Sequence, residues 1–243
     1  MIQLSGVNKS FGDLVVLDGI DLSFEMGLTT AIIGPSGAGK SVLIKHLVGL
    51  IRPDSGRVEV FGTDMARAPK RALYEVRRRF GMLFQDGALF DSLSVGDNVG
   101  FPLEHHRPDL SYQARRQRVD AVLEQVELPG FADRDVSELS GGQRKRVGLA
   151  RAIVAEPEVV LFDEPNSGLD PMTSDSIDNL ILQMKEALGI TFIVISHDIV
   201  GTFNVADRIG MLYGGKLIAY GSPGELRASE HPIIKRFLSR NLH

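Results

Sequence analysis

The chain has 243 residues, 43% hydrophobic and 24% charged, with a formal net charge of -4 and no cysteine. That length suits one large α/β domain or two small ones, with ample room for a buried core. The charge gives no general attraction to nucleic acid, and the missing cysteines exclude disulfides, thiolate metal sites and a cysteine nucleophile.

The opening residues Met1-Ile2-Gln3-Leu4 enter a strand-like run without a basic leader, which argues against a secretory signal. No stretch approaches the roughly 20 apolar residues that a membrane-spanning helix needs. The expected location is cytoplasmic, with membrane contact made through a partner or a surface. In chain order, β-like segments at residues 2–7 and 15–24 flank a turn at Phe11-Gly12-Asp13. A third, at 28–33, feeds directly into Gly34-Pro35-Ser36-Gly37-Ala38-Gly39-Lys40-Ser41, after which Val42, Leu43, Leu47, Val48 and Leu50 recur at helical spacing. Pro53-Asp54-Ser55-Gly56 reads as a turn and 57–61 as a short alternating strand. A charged helix is predicted over 112–127, stopped by Pro129-Gly130, and a second over 141–155. Residues 85–155 thus read as a helical insertion between two parts of one α/β domain, 1–84 and 156–243. Strands at 159–162 and 191–196 with a helix at 172–188 between them suggest a parallel sheet covered on both faces. A strand at 216–220 and a short helix at 233–238 close the chain.

Three motifs carry chemistry. Gly34 to Ser41 matches G-x-x-x-x-G-K-[ST] in full, between an apolar strand and a helix. Its glycines let backbone N–H groups converge on an anion, the helix adds its positive end, Lys40 is placed for β/γ-phosphates and Ser41 for Mg²⁺. Val159-Val160-Leu161-Phe162 delivers Asp163 and Glu164 to a strand end, where α/β sheets place ligand chemistry. Asp163 suits Mg²⁺, directly or through water, and Glu164 suits a base for an attacking water. The third motif is Leu139-Ser140-Gly141-Gly142-Gln143, with Ser167-Gly168-Leu169-Asp170 following the Asp163-Glu164 strand.

This order of motifs, along essentially the whole chain, resembles the nucleotide-binding subunit of ABC transporters. The resemblance implies a P-loop NTPase core, a parallel sheet flanked by helices, with an N-terminal antiparallel β subdomain and an inserted α-helical subdomain. It implies ATP hydrolysis with Mg²⁺, by a head-to-tail homodimer with two ATP molecules at its interface. The first molecule's ATP would contact Phe11 and the loop from Gly34 through Val42, including Pro35, Ser36, Gly37, Ala38 and Gly39. The facing subunit would contribute Ser140, Gly141, Gly142, Gln143 and Asp170. For Phe11, the adenine-stacking position, a core Phe at a turn is the competing reading. Gln85 matches a glutamine that senses Mg²⁺ and the attacking water, and His197 matches a histidine that contacts the γ-phosphate. Asn166 departs from the Thr often found before Ser-Gly-Leu-Asp, a change expected to be tolerated.

Residues 82–95, with Asn98-Val99 and Phe101-Pro102-Leu103, are apolar for a surface loop. In the family this stretch receives a permease helix, although packing of Leu89, Phe90 and Val95 under the helical insertion would explain the same pattern. The Gly-Ala-Leu-Phe wording looks most like the MlaF-like ATPases. These act with MlaE-type permeases and MCE-domain proteins in phospholipid transport, and small STAS-type regulators accompany some of them. Gln143 is the general family residue where that subgroup often has Met. The resemblance places the subunit on the cytoplasmic face of the inner membrane through its permease, and the runner-up is an importer subunit for a polar solute. Repair-type and translation-type ATPases are disfavoured by the lack of a long coiled coil and of a second copy, so no nucleic-acid partner is expected. The cluster Arg77-Arg78-Arg79 reads as a solvated strand edge, with contact to anionic lipid or permease loops as the alternative.

Overall fold

A computed structural model describes residues 1–85 and 87–241. Asp86, inside the apolar loop, and Leu242 and His243 of the tail lie outside the described residues.

The chain begins with an antiparallel sheet in the order β2-β1-β4-β5, from β1 (Ile2–Phe11), β2 (Leu14–Phe24), β4 (Ser55–Val60) and β5 (Thr63–Asp64). Ile2, Leu4 and Val7 on β1 and Ile20, Leu22 and Phe24 on β2 are buried, while residues between them face water. One face of this sheet therefore covers a core and the other is solvated, as alternating sequence requires.

A second sheet runs in the order β10-β9-β3-β8-β7-β6. Its strands are β3 (Thr29–Ile33), β6 (Phe80–Leu83), β7 (Val159–Asp163), β8 (Thr191–Ile195), β9 (Arg208–Tyr213) and β10 (Lys216–Gly221). The pairs β9/β3, β3/β8, β8/β7 and β7/β6 are parallel and β10 pairs antiparallel to β9. Every residue of β3 and β8 is buried, because this sheet is covered on both sides. Alternate residues divide between two cores. Ile32, Leu161, Ile193 and Leu212 pack toward the antiparallel sheet and α1 (Lys40–Leu47), and α2 (Lys70–Arg77) joins the same core. Ala31, Phe162, Phe192 and Val194 pack toward α5 (Gly141–Ile153), α6 (Pro171–Leu188) and α7 (Ile199–Val205).

Between β6 and β7 the chain forms α3 (Val95–His106), α4 (Tyr112–Gln125) and α5, which pack on one another through Val99, Leu103, Val119, Leu123, Val147 and Ala150. The chain closes with α8 (Pro223–Arg227) and α9 (Pro232–Asn241). Among the described residues no helix is long and apolar enough to cross a membrane.

The arginine cluster is not a strand edge. Arg77 ends α2, and its guanidinium donates to the carbonyls of Val48 at 2.8 Å and Gly49 at 3.0 Å. Arg78 donates to the His106 carbonyl at 2.7 Å, and Arg79 forks onto Glu158 while stacking 3.5 Å from the Phe61 ring centre. The three cations remain partly solvated, as the sequence suggested, but each also has a fixed acceptor far along the chain.

Candidate functional site

The C-terminal ends of β3, β7 and β8 open into one cleft of about 680 Å³. Phe11, Val16, Lys40, Ser41, Gln85, Asp163, Glu164 and His197 all line it, together with the loop from Ser36 to Val42. The loop turns tightly: Gly39 has φ 101°, and a Cβ there would sit 2.8 Å from the Val16 carbonyl oxygen. Only glycine meets both conditions.

Lys40 begins α1 and is 8% exposed, with Nζ donating to the carbonyls of Gly34 at 2.8 Å and Pro35 at 3.1 Å. Burial lowers its pKa, while the charges of Glu164 and Asp163 raise it. Ser41 Oγ donates to Asp163 Oδ1 at 3.4 Å. Burial and the neighbouring Glu164 push the Asp163 carboxyl up, and the Ser41 hydrogen bond and nearby lysines oppose this. The donors here are a hydroxyl, a carboxylate and the Gln85 side-chain amide, the hard oxygen chemistry that suits Mg²⁺. No group of three or more His, Cys, Asp or Glu suited to a metal occurs among the described residues. Mg²⁺ held largely by substrate phosphates needs no such group.

Glu164 has φ 57°, left-handed backbone that costs a non-glycine residue roughly 1 kcal/mol or more. The turn is held by its N–H donating to Ile195 O at 2.9 Å. It aims the carboxylate at His197, whose N–H donates to Oε2 at 3.3 Å and whose Nδ1 also meets Oε2. Gln85 Nε2 donates to Ser167 Oγ at 3.1 Å, which ties it to the first residue of the Ser-Gly-Leu-Asp motif. Phe11 is 49% exposed, not a core side chain, and stands beside Val16 at the mouth with Lys9 Nζ 5.3 Å from its ring centre.

Ser140 and its neighbours do not line this cleft. Ser140 caps α5 reciprocally: its Oγ accepts from Gln143 N at 3.3 Å, and Gln143 Oε1 accepts from Ser140 N at 3.0 Å. Gly141 and Gly142 form the first turn, so their N–H groups project from the helix start. Asp170 caps α6, accepting from Thr173 N at 3.1 Å, and Gly142 lies against that same Thr173. The two caps therefore form one surface apart from the cleft.

Asn166, the departure in the Ser-Gly-Leu-Asp stretch, joins two carboxylates: Nδ2 donates to Asp178 at 2.9 Å and to Asp198 at 3.2 Å. Burial lifts the Asp178 carboxyl to about 6, with the Asn166 hydrogen bond opposing and Asp198 adding to the rise. A native pKa above the ordinary 3.8 means the folded state holds this proton more tightly. The group therefore favours folding below about pH 4, and that contribution is lost as pH rises through about 6. Asp178→Asn is expected to flatten the urea-unfolding midpoint between about pH 4 and 6 relative to the parent, and to raise stability at pH 7 by on the order of 1–3 kcal/mol. An unaltered pH slope in the variant would contradict this.

A second cleft, about 410 Å³ and mostly apolar, is lined by Phe84, Phe90, Phe101, Pro102 and His106. Phe90 and Phe84 are 44% and 41% exposed, whereas Val95 is fully buried and Leu89 packs on the core. The apolar loop thus divides into core anchors and groove walls. Asn98, buried on α3, fixes it by accepting from Phe90 N at 2.8 Å and donating to the carbonyls of Phe90 and Ser94 at 3.0 Å each.

A parallel sheet, a glycine-rich phosphate loop on β3 and an acidic pair on β7 define a P-loop nucleoside triphosphatase. Residues 17–167 match the ABC transporter family model, and the chain belongs to that family. It is 38% identical over 98% of its length to the "Probable ribonucleotide transport ATP-binding protein mkl" of Mycobacterium leprae, and spans 68% of that relative. It is 42% identical over 98% of its length to the "Intermembrane phospholipid transport system ATP-binding protein MlaF" of Haemophilus influenzae, spanning 90% of it. The ATP-binding cassette MJ0796, solved as a dimer in a post-hydrolysis state with ADP and Pi, superposes with TM-score 0.82 at 31% identity. That match covers 92% of this chain and 99% of the other. The protein is an ATP-binding, ATP-hydrolysing ABC cassette.

Proposed function

We propose that this cassette works as a homodimer that drives a membrane permease moving phospholipid or another hydrophobic molecule across the bacterial envelope. The observation that carries the reading is near-full-length similarity to a phospholipid-transport ATPase, combined with an apolar groove beside Gln85. The catalytic core comprises 1–84 and 156–243, and residues 85–155 form a helical subdomain carrying the signature loop.

Each ATP lies with its adenine on Phe11 and its phosphates on the loop from Gly34 to Val42. The N–H groups at the start of α1 and the Lys40 ammonium bind the β- and γ-phosphates. Ser41, Asp163 and Gln85 are the residues to hold Mg²⁺, which when bound neutralises phosphate charge. Glu164 orients and deprotonates the attacking water, and His197 holds that carboxylate while facing the γ-phosphate. The facing subunit brings Ser140, Gly141, Gly142 and Gln143 onto the same γ-phosphate, and Asp170 joins the two sites. This explains why the capped α5 terminus stands outside its own cleft.

The groove between Phe84, Phe90 and Phe101 receives an amphipathic helix of an MlaE-type permease, which places the subunit on the cytoplasmic face of the inner membrane. An MCE-domain protein belongs to the same complex and a small STAS-type regulator binds the helical subdomain. The name of the mycobacterial relative favours a second reading, an importer of a polar solute. Purification of the complex from native membranes, with mass spectrometry of bound proteins and lipids, separates the two. An MlaE-type permease with an MCE partner and phospholipid is the expected result, and a different permease without an MCE partner overturns the lipid assignment.

A further inference from the structure

Lys145 lies in the second turn of α5 and is only 4% exposed. Burying an ammonium costs several kcal/mol unless acceptors surround it. Here Nζ donates to the backbone carbonyl of Gln85 and to that of Glu164, the latter at 3.3 Å. These are peptide oxygens of two segments far apart in sequence, both bordering the ATP cleft.

The rest of α5 reinforces the arrangement. Arg151, 9% exposed, donates to the carbonyls of Gly87 and Ala88, so α5 receives the backbone oxygens of 85, 87 and 88 on two cations. Between them Gly148 presents bare backbone: a Cβ there would lie 2.6 Å from Leu83 Cδ1 and 3.3 Å from Gly87 Cα. The loop can lie against the helix only because that side chain is missing. Glu164, for its part, holds a left-handed φ of 57° that surrounding contacts must maintain.

We propose that Lys145 is a positioning residue for ATP hydrolysis, its ammonium setting the spacing between the Gln85 and Glu164 backbones and joining both to the helix that begins at Ser140. This rests on the roles proposed above for Gln85 and Glu164. The Lys145 side chain does not line the cleft and acts through these two residues. Any rotation of α5 on closure of a dimer then carries the water-handling pair with it, because the three segments share one cation.

Two variants of the full-length chain test this. Lys145→Met keeps the length and removes the donors, and Lys145→Gln keeps N–H donors without the charge. For Lys145→Met, kcat is expected to fall about tenfold or more while the KM for ATP stays within about twofold, and Lys145→Gln is expected to restore several-fold of the loss. Hydrogen exchange of the amides at 87–89 should quicken in the Met variant, and binding of a fluorescent ATP analogue should stay near parental. Turnover of Lys145→Met within about twofold of the parent overturns the inference. So does a fall matched by an equal rise in KM that Lys145→Gln does not relieve. Glu164→Gln measured alongside keeps the levels distinct: normal hydrolysis by that variant sinks the role given to Glu164. If it is inactive, parental turnover by Lys145→Met sinks only the role given to Lys145.

Discussion

Glu164→Gln is expected to lower ATP turnover by about a hundredfold or more while leaving ATP binding intact, since positioned general bases contribute on the order of 10²–10⁴. The carboxylate sits at the end of β7, held toward the cleft by a left-handed turn and by contact with His197. Gln preserves size and the ability to accept from His197 N–H, so the strained turn should survive. What it lacks is an acceptor basic enough to take a proton from water. Because nothing in the phosphate loop changes, ATP should still bind and accumulate unhydrolysed, and the variant should sediment as an ATP-dependent dimer. Hydrolysis near the parental rate would refute the assignment of Glu164, and a monomer with ATP bound would contradict the proposed dimer.

Lys40→Ala acts at the opposite end of the same cleft. Its ammonium is the cation nearest the phosphate-loop carbonyls, and its burial means its charge is little screened by solvent. Charge-assisted hydrogen bonds to phosphate are about twice as strong as neutral ones, so ATP affinity should fall about a hundredfold and turnover should drop to background. Loss of the amine also removes one of the two lysine charges, with Lys45, that oppose the burial-driven rise of the Asp163 carboxyl. Calorimetric titration with ATP measures the affinity, and an unchanged Kd would overturn the role of Lys40.

The parts of this site that were legible in sequence are contiguous or strand-end features. Gly34 to Ser41 and Val159 to Glu164 each carry both their chemistry and their placement, because an apolar run fixes the strand and the next residues must emerge at its end. The two-sided burial of β7 and β8 followed from the apolar runs Val159-Val160-Leu161-Phe162 and Phe192-Ile193-Val194-Ile195. Elements interrupted by breakers were not legible. The helix α3 contains Gly96, Gly100 and Pro102, and β9 carries Gly210 in its middle. Tertiary packing overrides those local preferences. The contacts of Lys145, Arg151 and Asp178 gave no signal either, and Asn98 was visible only as part of the apolar stretch. A lysine in a basic run reads as surface, and only the folded chain shows that Lys145 ends on carbonyls 60 and 19 residues away.

In the proposed dimer each hydrolytic site is built from two copies of the chain, the phosphate loop of one and the α5 terminus of the other. Gly141→Asp tests the second half with little risk to folding. A Cβ at Gly141 makes only ordinary contact with Leu169, at 3.5 Å, and an acid in the first turn suits a helix start while repelling phosphate. Lys40→Ala and Gly141→Asp should each be inactive alone. Mixed in equal amounts they should regain about a quarter of the parental turnover, since half of the dimers are mixed and each mixed dimer keeps one intact site by symmetry. Recovery of that size confirms a site shared between copies, and mixed dimers that form with ATP yet hydrolyse none of it would contradict the account.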